Sequence, residues 1–459
     1  MIKKSLFQIA KMITVENDLN IHGSVSIKGI SIDSRKIEEG NLFVPFKGEH
    51  SDGHKFVEEA IEKGAAAAFW QQDVPNPPLH LPIIMVKDTL IALQELARSY
   101  RNELDVKVVG ITGSNGKTTT KDMTASLLSV QYKVQKTEGN YNNHIGLPLT
   151  VLSLEEDTEI AVLEMGMSAK GEIEFLTKLA RPNVVMITNI GESHLQDLGS
   201  REGIAEAKLE IIQGLQEDGL IVFHGDEPLL TNTLSTYKGN ATLKTFGRLE
   251  SNDLFPKEIT QHDNGSEFKT SLSDLTFHLP VLGIHNILNA LAAMLTANHF
   301  AIPFEKMNHA FSSLKLTNMR MELVEGYKGE KVINDAYNAS PTSMKAAIEL
   351  VSNLPGYENK ILVLGDMLEL GSEEKAYHVE IGKTLDSDKV QYVFTFGKLG
   401  ESIAEGARFV MPEDRVKSYL EKEKLIEDLR EVTNDCTLIL VKGSRGMKLE
   451  EVVRALQQL

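Results

Sequence analysis

Short apolar runs separated by longer amphipathic stretches recur along most of this chain. The runs are rich in Val, Ile and Leu, which is typical of strands buried on both faces of a parallel sheet. The stretches between them repeat apolar residues at helical spacing, as amphipathic helices do. Strands that alternate with helices in this way predict an α/β protein built from βαβ units.

The chain up to about residue 100 predicts a small α/β unit that precedes the longer alternation. Strands are expected at 27–32, 42–46, 66–70 and 83–86, and helices at 54–63 and 88–100. The polar segment 101–105 is expected to form a hinge before the next strand. We therefore predict a small N-terminal α/β domain over residues 1–102.

Residues 106 to about 315 predict a central, doubly wound and mostly parallel sheet. The apolar runs at 160–163, 184–187 and 220–223 have the character of buried parallel strands. Residues 241–280 alternate polar and apolar positions, which predicts antiparallel strands inserted at the sheet edge. With a closing helix at about 286–299, this central domain is expected to span residues 103–316.

From about residue 317 the alternation restarts and predicts a Rossmann-like C-terminal α/β domain over residues 317–459. Its expected strands are 331–334, 361–364, 392–396 and 438–441, and its expected helices are 343–352, 374–385, 399–405 and 449–456. No Gly-x-Gly-x-x-Gly follows any of these strands, so the sequence does not support a dinucleotide site in this domain.

Charge and cysteine content narrow the class of partner and the compartment. The chain has 48 Lys and Arg against 65 Asp and Glu, a formal charge of −17, which argues against nucleic-acid or anionic-membrane partners. Any phosphate ligand must then be held by local cations. The single cysteine, Cys436, allows no intrachain disulfide, which fits a reducing cytoplasm. Its apolar surroundings predict a buried position in a strand.

The segment 110–121, Gly-Ile-Thr-Gly-Ser-Asn-Gly-Lys-Thr-Thr-Thr-Lys, directly follows an apolar run and predicts a phosphate-binding loop. Backbone N–H groups in such a turn cradle phosphate oxygens, Lys117 can reach the β- and γ-phosphates, and Thr118 can hold Mg²⁺. The standard motif has Gly where this chain has Thr112, so an ordinary loop before a capped helix is the alternative. The strand before it and the helical stretch after it favour a nucleoside triphosphate site.

Two side chains follow neighbouring predicted strands of the central sheet. Glu164 ends one strand, and His194 lies in the loop after the next. Ligands bind at this rim of open α/β sheets, where Glu164 could hold Mg²⁺ and His194 a second cation or the substrate. The alternatives are a solvated Glu164 and a structural or exposed His194.

Other polar residues indicate chemistry less directly. Asn286 and Asn289 share a helix face and could pair with an adenine edge, although Asn286 could instead be an N-cap. Lys208 lies in a helix, where a lysine is normally a solvated charge. The polar segments 334–342 and 442–445 follow strands, where functional residues concentrate.

Five motifs stand in an order that resembles the Mur ligase family. They are Thr-Gly-Ser-Asn-Gly-Lys-Thr-Thr at 112–119, Glu-Met-Gly at 164–166, Thr-Asn-Ile-Gly at 188–191, His-Asn-Ile-Leu-Asn at 285–289 and Met-Arg-Met-Glu at 319–322. The resemblance covers essentially the whole chain. It implies an N-terminal UDP-sugar domain, a central ATPase domain and a C-terminal domain that closes over ATP.

Further segments resemble the family members that add D-alanyl-D-alanine, namely 138–148, 335–344, 364–371 and Asp-Ser-Arg at 33–35. The members that add diaminopimelate or lysine are less similar at 335–341. The resemblance implies an ATP-dependent ligase of cytoplasmic peptidoglycan precursor synthesis. It would join D-alanyl-D-alanine to UDP-N-acetylmuramoyl-tripeptide through an acyl phosphate, and we expect it to act as a monomer.

The same resemblance implies roles for individual residues. Lys117 would contact the phosphates, Thr118 and Glu164 one Mg²⁺, His194 a second Mg²⁺, and Lys208 would be carbamylated and bind metal. The remaining nucleotide residues would be Gly113, Ser114, Asn115, Gly116, Thr119, Asn286, Asn289, Arg320, Asp335 and Asn338. The substrate residues would be Asp33, Ser34, Arg35, Asn142 and Asn143, with Lys442, Ser444 and Arg445 as further candidates.

Two other classes of function compete with a ligase. A phosphate-loop GTPase usually carries Asn-Lys-x-Asp for guanine, which this sequence lacks, and a phosphate-loop kinase would not need the C-terminal domain. A non-catalytic nucleotide-binding module would not need Glu164 and His194 at adjacent strand ends. The arrangement of polar residues therefore favours an enzyme.

Overall fold

The computed structural model describes residues 1–19, 22–48, 51–78, 80–262 and 264–458. Its N-terminal part has strands β1 (Lys3–Ser5), β2 (Ser26–Lys28), β3 (Ile30–Ser31), β4 (Leu42–Phe43), β5 (Ala67–Gln71) and β6 (Ile83–Val86), and helices α1 (Leu6–Met12), α2 (Val57–Glu62) and α3 (Thr89–Glu103). β1 and β2 pair antiparallel, while β3, β4, β5 and β6 form a parallel sheet in that order. The predicted α/β character of this part is confirmed.

The central part contains the elements that position the phosphate loop. Its strands are β7 (Lys107–Thr112), β8 (Val134–Lys136), β9 (Ile160–Glu164), β10 (Val184–Ile187), β11 (Leu220–His224), β12 (Thr242–Phe246), β13 (Pro256–His262), β14 (Gly265–Thr270) and β15 (Ser273–Leu279). Its helices are α4 (Lys117–Leu128), α5 (Gly146–Ser153), α6 (Glu172–Ala180), α7 (Leu195–Leu198), α8 (Arg201–Leu209), α9 (Pro228–Leu234), α10 (Ile284–His299) and α11 (Phe304–Ser312).

The central sheet is parallel in the order β12-β11-β10-β7-β9-β8. Successive residues of β7 point to opposite faces, and both faces are buried: Val108 packs with α5 and α6, and Val109 packs with α4 and α10. This burial explains why the strands appear in the sequence as continuous apolar runs. The doubly wound fold is therefore confirmed.

The predicted antiparallel strands are present, but they are arranged differently from the expectation. β13, β14 and β15 form an antiparallel sheet of their own instead of extending the central sheet at its edge. The first strand of the predicted segment, β12, is a parallel edge strand of the central sheet. It lies at the edge of the sheet, so most of its residues are only partly buried and resemble those of a half-buried strand.

The C-terminal part is a second α/β layer structure. Its strands are β16 (Glu322–Glu325), β17 (Lys331–Asp335), β18 (Asn359–Gly365), β19 (Tyr392–Phe396), β20 (Val416–Tyr419) and β21 (Thr437–Lys442), and its helices are α12 (Pro341–Asn353), α13 (Glu374–Lys383), α14 (Gly400–Ala407), α15 (Lys422–Val432) and α16 (Glu450–Leu456). The order is β16-β17-β21-β18-β19-β20, with β16 antiparallel and the other neighbouring pairs parallel.

The C-terminal part differs from the sequence expectation at Cys436 and at its two edge strands. Cys436 is exposed and precedes β21, so the prediction of a buried cysteine in a strand is wrong. The edge strands β16 and β20 were not predicted, because their residues alternate between partial burial and exposure or mix polar with apolar types. No helix in the described parts of the chain has the length and apolar character needed to cross a membrane.

The N-terminal and central parts share one apolar core. Leu6, Phe69 and Leu93 belong to the same buried cluster as Val108 and Leu163. Asp88 begins α3 by accepting hydrogen bonds from the backbone N–H groups of the first turn. The helix then buries one apolar face against the cluster, which ties the two parts together.

The segment 101–105 is not a hinge, because α3 continues to Glu103 and Arg101 is buried. Arg101 Nε donates to Ala180 O at 2.8 Å, and its Nη atoms donate to the carbonyl oxygens of Leu104, Val106 and Arg181. Burial lowers the pKa of this guanidinium to about 10. Its hydrogen bonds join the end of α3 to the central part.

We expect Arg101→Ala to lower the free energy of unfolding by about 2–4 kcal/mol, because it leaves buried carbonyl oxygens without donors. The matched control is Arg98→Ala on the exposed side of the same helix. Urea denaturation of both variants would measure the difference. Equal stability of the two variants would contradict the assigned role of Arg101.

Candidate active site

The phosphate loop connects β7 to α4, and two of its glycines have backbone conformations that L side chains rarely adopt. Gly113 has φ 147° and Gly116 has φ 80°. A Cβ atom on Gly113 would lie 1.8 Å from Thr188 Oγ1, and one on Gly116 would lie 2.5 Å from Asn289 Oδ1. Both positions therefore require glycine on grounds of conformation and of space.

The loop after β10 holds the phosphate loop in place. Asn189 accepts from Ser114 N through its carbonyl oxygen at 3.0 Å and from Asn115 N through Oδ1 at 2.9 Å. Thr188 Oγ1 donates to Asn115 O at 2.6 Å, and Gly191 N donates to Ser114 Oγ at 2.8 Å. The Thr-Asn-Ile-Gly motif at 188–191 thus has a physical role that the sequence did not disclose: it shapes the phosphate loop.

Lys117 covers this loop from the first turn of α4. Its Nζ donates to Gly113 O at 2.7 Å and to Ser114 O at 3.3 Å. Burial lowers the pKa of Lys117, Glu164 opposes this shift, and the charge of Arg320 adds to it. A cation above a ring of backbone N–H groups is suited to phosphate.

Glu164 is 2% exposed at the end of β9, so the alternative of a solvated strand-end carboxylate is wrong. Its Oε2 accepts from Thr118 Oγ1 at 2.8 Å, and its Oε1 accepts from Asn142 Nδ2 at 2.8 Å. Within the described residues, no group of three or more His, Cys, Asp or Glu side chains is placed to hold a metal. The Thr118–Glu164 oxygen pair fits Mg²⁺, which takes few protein ligands and completes its shell with phosphate and water.

Lys208 is not the solvated helix lysine that its sequence context suggests. It is 1% exposed on α8 and lines the same cleft as Lys117. In the part of the chain that the structure describes, its ammonium has no hydrogen-bond acceptor or carboxylate partner. Burial first, and the charge of Lys117 second, set the pKa of Lys208 well below its ordinary value.

His194 lies in the cleft next to these groups, in a left-handed conformation with φ 64°. Its Nδ1 is 2.8 Å from Glu369 Oε2, at an angle outside hydrogen-bonding geometry. Burial lowers the pKa of His194, and the Glu369 carboxylate opposes that shift. The His194 ring therefore lies where one of its nitrogens could bind a ligand in the cleft.

The start of α10 lies beside the phosphate loop. The helix begins at Ile284, so Asn286 lies in its first turn and is not the N-cap. Asn286 Nδ2 donates to Leu282 O, and its Oδ1 accepts from Asn289 Nδ2 at 3.2 Å. The two amides are therefore fixed relative to each other, and the Asn289 amide lies against the Gly116 backbone.

The C-terminal part contributes the other wall of the cleft. The Arg320 guanidinium is 4.3 Å from the Tyr337 ring centroid, and its Nε is buried without a partner among the described residues. Asp335 forms an ion pair with Lys442, which also donates to Asn338 O at 3.1 Å. Together the two walls enclose a cleft of about 770 Å³.

Polar contacts join the two walls. Ser340 Oγ donates to Asn115 Oδ1 at 3.2 Å, and Thr342 N and Oγ1 donate to Glu192 Oε2 at 3.2 and 2.7 Å. No individual role was predicted from the sequence for Glu192, Thr342, Tyr337 or Glu369. The signal available in the sequence was that each of them follows the end of a predicted strand.

Some candidate residues lie elsewhere or have other contacts. The described residues that line the cleft do not include Asp33, Ser34 or Arg35. Arg35 donates to Asp33 through Nε and Nη2, which lowers the pKa of the Asp33 carboxyl to about 2. Asn143 lines the cleft and also accepts from Ile145 N and Gly146 N at the start of α5. The candidates Ser444 and Arg445 make other contacts. Ser444 Oγ accepts from Leu368 N, and the exposed Arg445 forms an ion pair with Glu450.

Three family descriptions match the chain. The "Mur ligase family, catalytic domain" matches residues 26–101, the "Mur ligase middle domain" residues 111–297, and the "Mur ligase, glutamate ligase domain" residues 319–445.

Similar proteins cover nearly the whole chain. The UDP-N-acetylmuramoyl-tripeptide–D-alanyl-D-alanine ligase of Bacillus subtilis is 53% identical over 99% of both chains, and that of Escherichia coli is 34% identical over 95% of this chain and 94% of its own. A crystal structure of MurF from Acinetobacter baumannii has a TM-score of 0.89 at 28% identity, covering 100% of this chain and 99% of its own. MurF from Thermotoga maritima in complex with ADP has a TM-score of 0.83 at 31% identity, covering 94% and 97%.

We expect Gly116→Ala to weaken ATP binding by about a hundredfold, because the new Cβ displaces the loop and costs charge-assisted hydrogen bonds to phosphate. Gly171→Ala is the matched control, since Gly171 has φ 86° but no atom lies within 4 Å of the position that its Cβ would take. Calorimetric titration with ATP would compare the variants. A similar loss in both would mean that backbone strain, and not the contact with Asn289, is responsible.

Proposed function

This chain belongs to the Mur ligase family, and from that membership we propose that it is an ATP-dependent peptide ligase. It joins D-alanyl-D-alanine to UDP-N-acetylmuramoyl-tripeptide, with ADP and phosphate as the other products. Its relatives of the same name span nearly its full length. The alternatives of a phosphate-loop GTPase, a kinase or a passive nucleotide-binding module do not describe this family.

The observation that carries the proposal is the meeting of a phosphate-binding loop with a second wall of polar groups in one cleft. Lys117 and Glu164 come from the central part, and Arg320 and Asp335 come from the C-terminal part. A nucleotide held between these walls would have its phosphates at the loop. Asn286 and Asn289 at the start of α10 are our candidates for the adenine.

The chemistry requires activation of a carboxylate, which is a poor electrophile because it is anionic and resonance-stabilised. The tripeptide carboxylate attacks the γ-phosphorus of ATP, ADP leaves, and an acyl phosphate forms. The amine of the dipeptide then attacks the acyl carbon, phosphate leaves, and the amine loses a proton. Phosphoryl transfer of this kind depends mainly on positioning and charge neutralisation.

The chain's own residues supply much of that neutralisation. Lys117 already lies over the loop and can exchange the carbonyl oxygens of Gly113 and Ser114 for phosphate oxygens. Arg320 packs against Tyr337, and its Nε has no hydrogen-bond partner within the described residues, so it can add charge from the opposite wall. A Mg²⁺ ion bound by Thr118 and Glu164 would further neutralise the phosphates, and we propose His194 as a ligand of a second ion.

Contacts across the cleft would keep water from the acyl phosphate. The hydrogen bonds from Ser340 to Asn115 and from Thr342 to Glu192 close the C-terminal wall over the loop. Exclusion of water matters because hydrolysis of the intermediate would waste ATP.

The substrate side of the proposal uses the N-terminal part. We propose domain limits of 1–102, 103–316 and 317–459, which the three matched family descriptions support. Asp33, Ser34 and Arg35 are candidates for the UDP moiety, and Asn142 and Asn143 for the part of the substrate nearer the cleft. Because ATP and UDP-linked precursors are cytoplasmic metabolites, the proposed compartment is the cytoplasm.

We further propose that Lys208 is carbamylated. Burial and the charge of Lys117 lower the pKa of Lys208 and so favour the uncharged, nucleophilic amine, which can add CO₂ to form a carbamate and release a proton. The product is an anion beside Lys117, whereas a protonated Lys208 would place a second buried cation there. A carbamate also offers oxygen ligands to a metal.

Phosphate release with UDP-N-acetylmuramoyl-tripeptide, measured with and without D-alanyl-D-alanine, tests the reaction. We expect release to depend on the dipeptide and to fall about a hundredfold to a thousandfold in Lys117→Ala, because transition-state charge is left uncompensated. Circular dichroism would check that the variant is folded. Release that ignores the dipeptide, or an active Lys117→Ala, would defeat the proposal.

The carbamate predicts one signal in an NMR spectrum recorded with isotope-labelled bicarbonate. The signal should disappear in Lys208→Arg and remain in Lys170→Arg, where a surface lysine is replaced in the same way. Lys208→Ala should be inactive and partly restored by short carboxylic acids. Full activity of Lys208→Ala in bicarbonate-free buffer would show that no carbamate is needed.

A further inference from the structure

One carboxylate in the cleft differs from all the others that the structure describes there. Each of the others accepts at least one hydrogen bond from the protein; these are Glu164, Glu172, Asp226, Glu227 and Asp335. Glu369 lines the same cleft, and within the described residues its carboxylate accepts none. Its neighbour His194 approaches Oε2 through Nδ1 outside hydrogen-bonding geometry, so the carboxylate can still accept hydrogen bonds from a cationic ligand.

Glu369 faces the reacting groups and remains accessible. Its Oε2 lies 2.8 Å from His194 Nδ1, and its side chain is 57% exposed. His194 is in turn close enough to Lys117 and Lys208 for their charges to lower its pKa. A ligand bound to Glu369 would therefore lie beside the centre where we propose that the acyl phosphate forms.

The loop that carries Glu369 is held firmly from behind. Met367 N donates to His378 Nε2 at 2.8 Å, and Leu368 N donates to Ser444 Oγ at 2.9 Å. From the central part, Gln196 N donates to Glu369 O at 3.2 Å. These bonds fix Glu369 in a left-handed conformation, φ 65°, which a non-glycine residue keeps only when its surroundings enforce it.

The cationic side chains of the cleft explain why an anion is needed beside them. Lys117 and Arg320 make the phosphate region attractive to anions, whereas the amine of a free dipeptide is mostly an ammonium at neutral pH. A cation that enters such a cleft needs an anion of its own.

We infer that Glu369 binds the ammonium group of the amine substrate and so helps to select it. The inference rests on the proposed ligase function. It also gives a physical role to the segment 364–371, one of the segments that resemble the members of the family that add D-alanyl-D-alanine.

Glu369→Gln tests the inference, because it keeps the size of the side chain and removes its charge. We expect KM for D-alanyl-D-alanine to rise about tenfold, a modest value because the site is partly open to water, and KM for ATP and for the UDP-linked tripeptide to stay the same. Glu373→Gln is the matched control: Glu373 is exposed, lies in the same loop region, and should leave all three constants unchanged.

The first half-reaction separates the inference from the function on which it rests. Oxygen-isotope scrambling in ATP, measured with the tripeptide but without the dipeptide, should be equal in wild type and Glu369→Gln. If the wild type shows neither scrambling nor dipeptide-dependent phosphate release, the proposed function fails. If it shows both and Glu369→Gln raises all three KM values together, Glu369 only holds the walls closed and the inference is wrong.

N-acetyl-D-alanyl-D-alanine provides a second probe, since it lacks the ammonium group. As a competitive inhibitor it should bind wild type and Glu369→Gln with the same inhibition constant. A weakening as large as that for the free dipeptide would show that Glu369 contacts another part of the ligand, which would overturn the inference.

Discussion

The backbone conformation at Gly113 and Gly116 is the constraint on which the rest of the cleft depends. These two residues turn the chain between β7 and α4 so tightly that Thr188 and Asn289 occupy the space that side chains would need. Thr188, Asn189 and Gly191 then hold the loop through hydrogen bonds. This arrangement positions the start of α4, and with it Lys117 and Thr118. Thr118 is then in place to donate its hydrogen bond to Glu164.

The three parts of the molecule are joined in two physically different ways. The N-terminal and central parts share a continuous apolar core and the buried Arg101, so their separation would expose apolar surface. The C-terminal part meets the central part mainly through hydrogen bonds, which water can replace at little cost, although Leu282 of the central part also packs in the C-terminal apolar core. Movement between parts is therefore expected at the polar joint, where the cleft lies.

The connection to the C-terminal part starts from a fixed point on the phosphate-loop helix. Asp122 on α4 is buried and accepts from Thr317 N and Oγ1 at 2.9 and 2.8 Å, and it also pairs with Lys136. Burial alone would raise the pKa of Asp122, but the charges of Lys121 and Lys136 and the hydrogen bond from Thr317 N hold it below its usual range. The linker thus leaves the central part close to the nucleotide site.

Two equally buried lysines in the central part differ in whether a partner compensates their charge. Lys121 and Lys208 are each 1% exposed. Lys121 donates to Thr137 O at 2.7 Å and lies 3.4 Å from Asp122, so its charge is compensated. Lys208 has no such partner among the described residues, and its charge is instead opposed by that of Lys117. The same residue type is therefore structural at one position and chemically available at the other.

The sequence by itself determined the α/β alternation, the phosphate loop and the placement of Glu164 and His194 at one rim of the sheet. These features depend on local pattern: burial on both faces makes strands apolar, and parallel strands bring their carboxyl ends to one edge. Only the tertiary structure decided that Lys208 is buried, that Thr188 packs on Gly113 and that Glu369 meets His194. Those contacts join residues far apart in the chain, and burial and charge pairing arise only when the parts pack together.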